Sequence, residues 1–196
     1  MAITFDLSIE STSNQKDFDA LIKYFNGHEI KLSDGRKVLW ACEAHSSEGF
    51  PFLTVYTRDL GFGSLKENVA RSEAAIDLFK LLLSAPPFVF AEIGAQIGDG
   101  GGDHQSLVKY IRQDPILNIY DGMVLSDEFW VELGKPDRLR QFRPGYVWKP
   151  YRGEKEIPIV HFHGYQQIYE KLRELPGIEY GPTRSEFPAA KDLDGK

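Results

Sequence analysis

The stretch Ser64–His104, SLKENVARSEAAIDLFKLLLSAPPFVFAEIGAQIGDGGGDH, decides how this chain is read. Ser64 and Glu67 have the spacing of a capping box, in which hydroxyl and carboxylate each satisfy a backbone N–H left free by the first helical turn. Val69, Ile76, Phe79, Leu82 and Leu83 then predict a helix buried on one side. Pro86 and Pro87 stop it, because proline has no N–H and restricts the residue before it. From Phe88 to Ile97 the pattern changes to alternation. Val89, Ala91, Ile93, Ala95 and Ile97 take one face of a strand; Phe88, Phe90, Glu92, Gly94 and Gln96 take the other. The strand is expected at the centre of a sheet, and Gly98-Asp99-Gly100-Gly101-Gly102-Asp103-His104 closes the unit.

Upstream, Ile3, Phe5, Leu7 and Ile9 alternate with Thr4, Asp6, Ser8 and Glu10, which predicts a half-buried strand. Phe18, Leu21, Ile22 and Phe25 form one helical stripe, ended by Asn26-Gly27. Ser33-Asp34-Gly35 is a turn signal. Val38–His45 and Phe52–Thr57 read as strands; in the first, Trp40 and Cys42 take one side, Glu43 and His45 the other. The order strand, helix, strand, strand, helix, strand resembles the ferredoxin-like split βαβ arrangement. That resemblance implies an α+β fold over residues 1–98, with two helices on one face of a mainly antiparallel four-stranded sheet.

Downstream, the stretch from Asp103 or His104 to Arg112 predicts a short helix, with Leu107, Val108 and Ile111 inward. Ile116–Tyr120 and Met123–Leu125 flank Asp121-Gly122 as a hairpin would. Ser126–Leu133 fits a helix capped by Ser126 and ended by Gly134, although Phe129, Trp130 and Val131 also suit a strand. Lys135–Pro144 is expected to be loop, Tyr146–Tyr151 and Glu156–Phe162 strands, and Tyr165–Leu175 a helix. Proline and glycine are too scattered to mark a linker. The expectation is one composite domain over 1–178, with 99–178 as an α/β extension packed on the first half. Residues 179–196 form a polar tail, expected to be loosely held.

The totals bound the function. Of 196 residues, 42% are apolar, enough for a substantial core, and the net charge of −6 argues against general nucleic-acid binding. The single cysteine, Cys42, excludes an internal disulfide framework and a multi-cysteine zinc site. No apolar run has the length of a membrane span, and Met1-Ala2-Ile3-Thr4 does not open a secretory leader. A cytoplasmic location is expected.

Three constellations are candidates for function. Between Lys135 and Lys155, Lys135, Arg138, Arg140, Arg143, Lys149, Arg152 and Lys155 face only Asp137 and Glu154, in an otherwise acidic chain. Phe142, Tyr146, Trp148 and Tyr151 are interleaved with them. Arginine beside tyrosine and tryptophan is the composition of protein interfaces, so Arg138, Arg140, Arg143, Tyr146, Trp148 and Tyr151 are the expected partner-binding residues. The same composition also stacks on single-stranded bases. Second, His161 and His163 share a strand face and are able to bind one divalent metal, with Asp99, Asp103 or His104 completing a hydrolytic site. Third, Glu43 and His45 share a face, read as a partly buried, hydrogen-bonded pair. No nucleophile elbow, Walker or dinucleotide pattern is complete. The leading expectation is therefore a non-enzymatic, macromolecule-binding protein, toxin-neutralising (immunity-type) or regulatory. It has a protein partner and is compatible with self-association. A metal-dependent hydrolase and a single-strand nucleic-acid binder are the alternatives.

Overall fold

The computed structural model describes residues 5–47, 49–57, 68–95, 104–114, 119, 121–137 and 139–150. These contain eight strands and four helices: β1 (Phe5–Ser11), α1 (Gln15–Phe25), β2 (Glu29–Lys31), β3 (Lys37–Ser47), β4 (Phe50–Thr57), α2 (Asn68–Leu82), β5 (Phe88–Ala95), α3 (His104–Gln113), β6 (Val124–Ser126), α4 (Asp127–Glu132), β7 (Arg140–Arg143) and β8 (Tyr146–Trp148). The fold is mixed α+β. The strands form one sheet in the order β2-β3-β4-β1-β5-β6-β8-β7, and each neighbouring pair is antiparallel.

Alternation divides the buried side chains between two faces. On one face Leu7, Ile9, Trp40, Leu53, Val55, Ala91, Ile93, Val124 and Trp148 meet the inward stripes of α1 (Phe18, Leu21, Phe25) and α2 (Ala75, Leu78, Phe79, Leu82). Asn14 caps α1, its side chain accepting from the Lys16 N–H. The Tyr24 hydroxyl ties α1 to α2 by donating to the Leu81 carbonyl at 2.9 Å. On the other face Phe52, Phe90, Leu125 and Val147 pack with Ile111 of α3 and Phe129 of α4. Both faces of the central strands are therefore covered.

Several local expectations changed on folding. Phe88 and Phe90 were expected on one face, yet Phe88 lies in the α1–α2 core and Phe90 in the other. The β1–β5 register shifts between Glu10 and Ser11, so that Glu10 faces Phe90 while Ser11 faces Phe88. The extra residue, Val89, reverses the alternation there, as a β-bulge does. Of Ser126–Leu133, Asp127–Glu132 is helical, with Ser126 as its N-cap, the hydroxyl accepting from the Phe129 N–H at 3.2 Å. Its polar cap outweighs the strand propensity of its three bulky residues. The segment expected as loop contains β7, because Arg140 and Gln141 find ladder partners in Trp148 and Val147. The expected elements at 156–162 and 165–175, the Ser64–Glu67 cap, the 98–103 loop and the 179–196 tail lie outside the described residues.

Ile9 is fully buried on β1, between Leu53 and Ala91. Ile9→Ala is expected to cost about 2–5 kcal/mol in urea unfolding, whereas Leu39→Ala at the exposed end of β3 should stay within about 0.5 kcal/mol.

Candidate functional site

The face of the sheet that carries α3 and α4 is unusually polar for a covered surface. One cross-strand row reads His45, Phe52, Glu10, Phe90, Leu125; the next reads Glu43, Thr54, Ser8, Glu92. Asp6, Ser8, Glu10 and Thr54 are all buried, and Glu10 is completely so. The sequence pattern placed Asp6, Ser8 and Glu10 on the polar side of a half-buried strand. Their burial follows from the position of β1 inside the sheet, flanked by β4 and β5 and covered on both sides.

Glu10 is held by His104, the first residue of α3. Its Oε1 lies 2.7 Å from His104 Nδ1, while Oε2 is buried without a hydrogen-bond partner among the described residues. The imidazole is stacked on Phe50 with ring centres 4.5 Å apart, and Phe129 lies tilted at 5.2 Å. Nε2 of His104 faces Glu132 of α4 at 3.8 Å. The result is a carboxylate–imidazole–carboxylate line running from the sheet to the surface between two rings. Burial pushes the Glu10 carboxyl up to about 7, against the opposing pull of His104. Burial alone pushes Glu92 up to about 7.

Outside this line, α3 and α4 border an open groove of about 480 Å³ lined by His104, Gln105, Val108, Lys109, Arg112, Gln113 and Glu132. The α3 sequence HQSLVKYIRQ has two cations and no acid. Arg112 donates to the Glu132 carbonyl at 2.9 Å, linking the two helices across the groove. Tyr110 on α3 is 53% exposed and Val131 on α4 is 54% exposed. Within the described residues only Leu39 joins them as an exposed large hydrophobic side chain.

The residues singled out from sequence have different fates. Trp148 is fully buried and Tyr146 is 9% exposed. The Tyr146 hydroxyl accepts from the Phe88 N–H at 3.0 Å and donates to the Phe88 carbonyl at 3.2 Å. Arg143 lies 4.1 Å from the Tyr146 ring centre and 5.2 Å from that of Phe88, and donates to the Ala85 carbonyl at 2.6 Å. Tyr146 and Trp148 of the expected contact surface therefore serve the core, and Arg143 closes the end of β5. Arg140 is partly exposed and donates to the Leu139 carbonyl. Arg138 and Tyr151 lie outside the described residues, as do Asp99, Asp103, His161 and His163. Of the candidate metal ligands only His104 is described, and its nitrogens face Glu10 and Glu132. Three potential ligands do not converge anywhere among the described residues. Glu43 and His45, expected to be partly buried, are exposed on the sheet edge. Cys42 packs against the core, and burial pushes its thiol up to about 11, which suits a packing role.

No family model, curated protein or solved structure matches the chain.

Sequence reasoning missed Glu10, Glu92 and Glu132. For Glu10 and Glu92 the available signal was a carboxylate beside apolar residues on a strand; Glu132, on α4, had none. Glu92 makes that burial measurable. Its carboxyl is raised from 4.5 to about 7, so its favourable contribution is complete below about 4.5 and is lost as pH rises through about 7. The stability advantage of Glu92→Gln over the native chain should grow from near zero at low pH to on the order of 3 kcal/mol above neutrality. Chemical unfolding across that range reads it directly, and a pH-independent difference would contradict the burial.

Proposed function

We propose that this chain is a non-enzymatic, protein-binding protein of the cytosol, with a toxin-neutralising or regulatory role, and that α3 and α4 form its contact surface. One observation carries the reading. Two of the three exposed large hydrophobic side chains among the described residues, Tyr110 and Val131, sit on the two short helices that border the cationic groove. Arg112 lines the groove and exposed Tyr110 stands on the same helix, and tyrosine and arginine are enriched at interface centres. Lys109 has no hydrogen bond or ion pair among the described residues, so its charge is available. Among its described residues, the basic segment expected from sequence contributes chiefly through Arg140, because Tyr146 and Trp148 are buried.

The chain's architecture supports this reading. The sub-order β3-β4-β1-β5, with α1 and α2 on one face, favours a ferredoxin-like split βαβ unit over residues 1–98. Residues 99–178 then form its extension within one composite domain. In such a unit the second sheet face is free to carry added elements, and α3 and α4 occupy it here. No helix among the described residues is long and apolar enough to cross a membrane.

Affinity capture with the tagged full chain tests the surface. The partner recovered by the native protein should be lost, by about tenfold or more, with Lys109→Glu plus Arg112→Glu. It should be retained with Lys23→Glu on the exposed side of α1. Equal recovery by all three would move the contact surface elsewhere.

A further inference from the structure

β3 spans Lys37–Ser47, yet β2 pairs only with Lys37, Val38 and Leu39. Just beyond, Trp40 donates its N–H to the His28 carbonyl at 2.9 Å and accepts from the Gly27 N–H at 2.8 Å. Its backbone groups therefore point outward, away from β4. In an antiparallel ladder this direction alternates with each residue. The β3–β4 register is unbroken from Trp40 to Ser47, so Cys42, Ala44 and Ser46 also present their N–H and C=O groups to the outer edge. No partner for these groups occurs among the described residues. Glu43, Ala44, His45 and Ser46 are exposed. The edge contains no proline and no register shift. The opposite edge strand, β7, is only four residues long and has a register shift between Gln141 and Arg143. An extended, regular, unpaired edge is a template for another strand.

We infer that a second copy of this chain pairs here, β3 against β3, antiparallel about a two-fold axis at Ala44. That register uses all three outward-facing residues. Ala44 lies opposite Ala44 of the partner subunit, and Cys42 opposite Ser46 of the partner subunit, giving about six hydrogen bonds between backbones. Glu43 falls opposite His45 of the partner subunit, in the closely spaced non-hydrogen-bonded pair, and the two-fold axis repeats the contact. An acid meets an imidazole both times. Centring the axis on Glu43 sets glutamate against glutamate, and centring it on His45 sets histidine against histidine. An axis at Cys42 drives the partner into the edge that β2 already occupies. On the opposite face the paired side chains are Cys42, Ala44 and Ser46, all small enough to approach without crowding. The sheet then continues through the dimer, joining the eight strands described for each chain.

Sedimentation equilibrium on the full chain tests this. The native protein should have twice the mass of the 22.3 kDa chain. Ala44→Pro removes an outward N–H and should give monomer. Glu43→Lys should weaken association about tenfold, and adding His45→Glu should restore it, because the swapped pair is again complementary across the axis. Ser46→Cys should cross-link to Cys42 of the partner subunit under mild oxidation, since facing residues lie within disulfide reach. A monomer at high micromolar concentration overturns the proposal. So does a dimer that Ala44→Pro leaves intact, or one that the charge swap fails to restore. These readouts do not involve α3 or α4, so either proposal can fail while the other stands.

Discussion

The rest of the structure depends on β1 being hydrogen-bonded along both of its edges. β4 takes one side from Leu7 to Glu10, and β5 takes the other from Phe5 to Ser11. Through β4 the strand reaches β3 and β2; through β5 it reaches β6, β8 and β7. A strand in that position has no solvent face to spare once helices lie on both sides. Leu7 and Ile9 gain from this burial. Asp6, Ser8 and Glu10 on the reverse face require compensation, and the chain supplies a specific one for Glu10 in His104.

That compensation also positions the proposed contact surface. His104 begins α3, so its bond to Glu10 anchors the helix to the middle of the sheet. Phe50 and Phe129 hold the ring from the sides, and Glu132 continues the line to α4. The groove between α3 and α4 lies directly outside. A buried carboxylate with one oxygen unpartnered among the described residues costs stability, as does the desolvated Glu92 two residues from Phe90. Such costs are commoner at sites under functional constraint than in cores built for packing alone.

Much of the architecture was legible because its signals are local and periodic. Leu7 and Ile9, the Phe18–Leu21–Phe25 stripe, the Pro86-Pro87 stop and the Ser126 cap each correspond to an observed element. What failed depends on tertiary position. The bulge at Val89 that separates Phe88 from Phe90 exists only when β5 is laid against β1. The hairpin Arg140–Trp148 looked like an exposed basic patch because its arginines are charged. In the fold, alternation and the Tyr146 hydroxyl turn its rings into the core, and Arg143 follows by stacking on them. The Glu10–His104 contact joins residues 94 apart, with no spacing rule to reveal it. The edge of β3 beyond β2 was invisible for a similar reason, since the length of β2 decides how much of β3 lacks a partner among the described residues.

The central claim is that β1 is the innermost strand, and native-state hydrogen exchange measures this most directly. The β1 amides that pair with β4 and β5 should exchange only through global unfolding, with the slowest rates in the chain. Amides of β7, at the sheet margin, should open at much lower free energy. If the β1 amides exchange as fast as those of β7, the strand is not held on both edges, and the arrangement of core, groove and sheet edge described above is wrong.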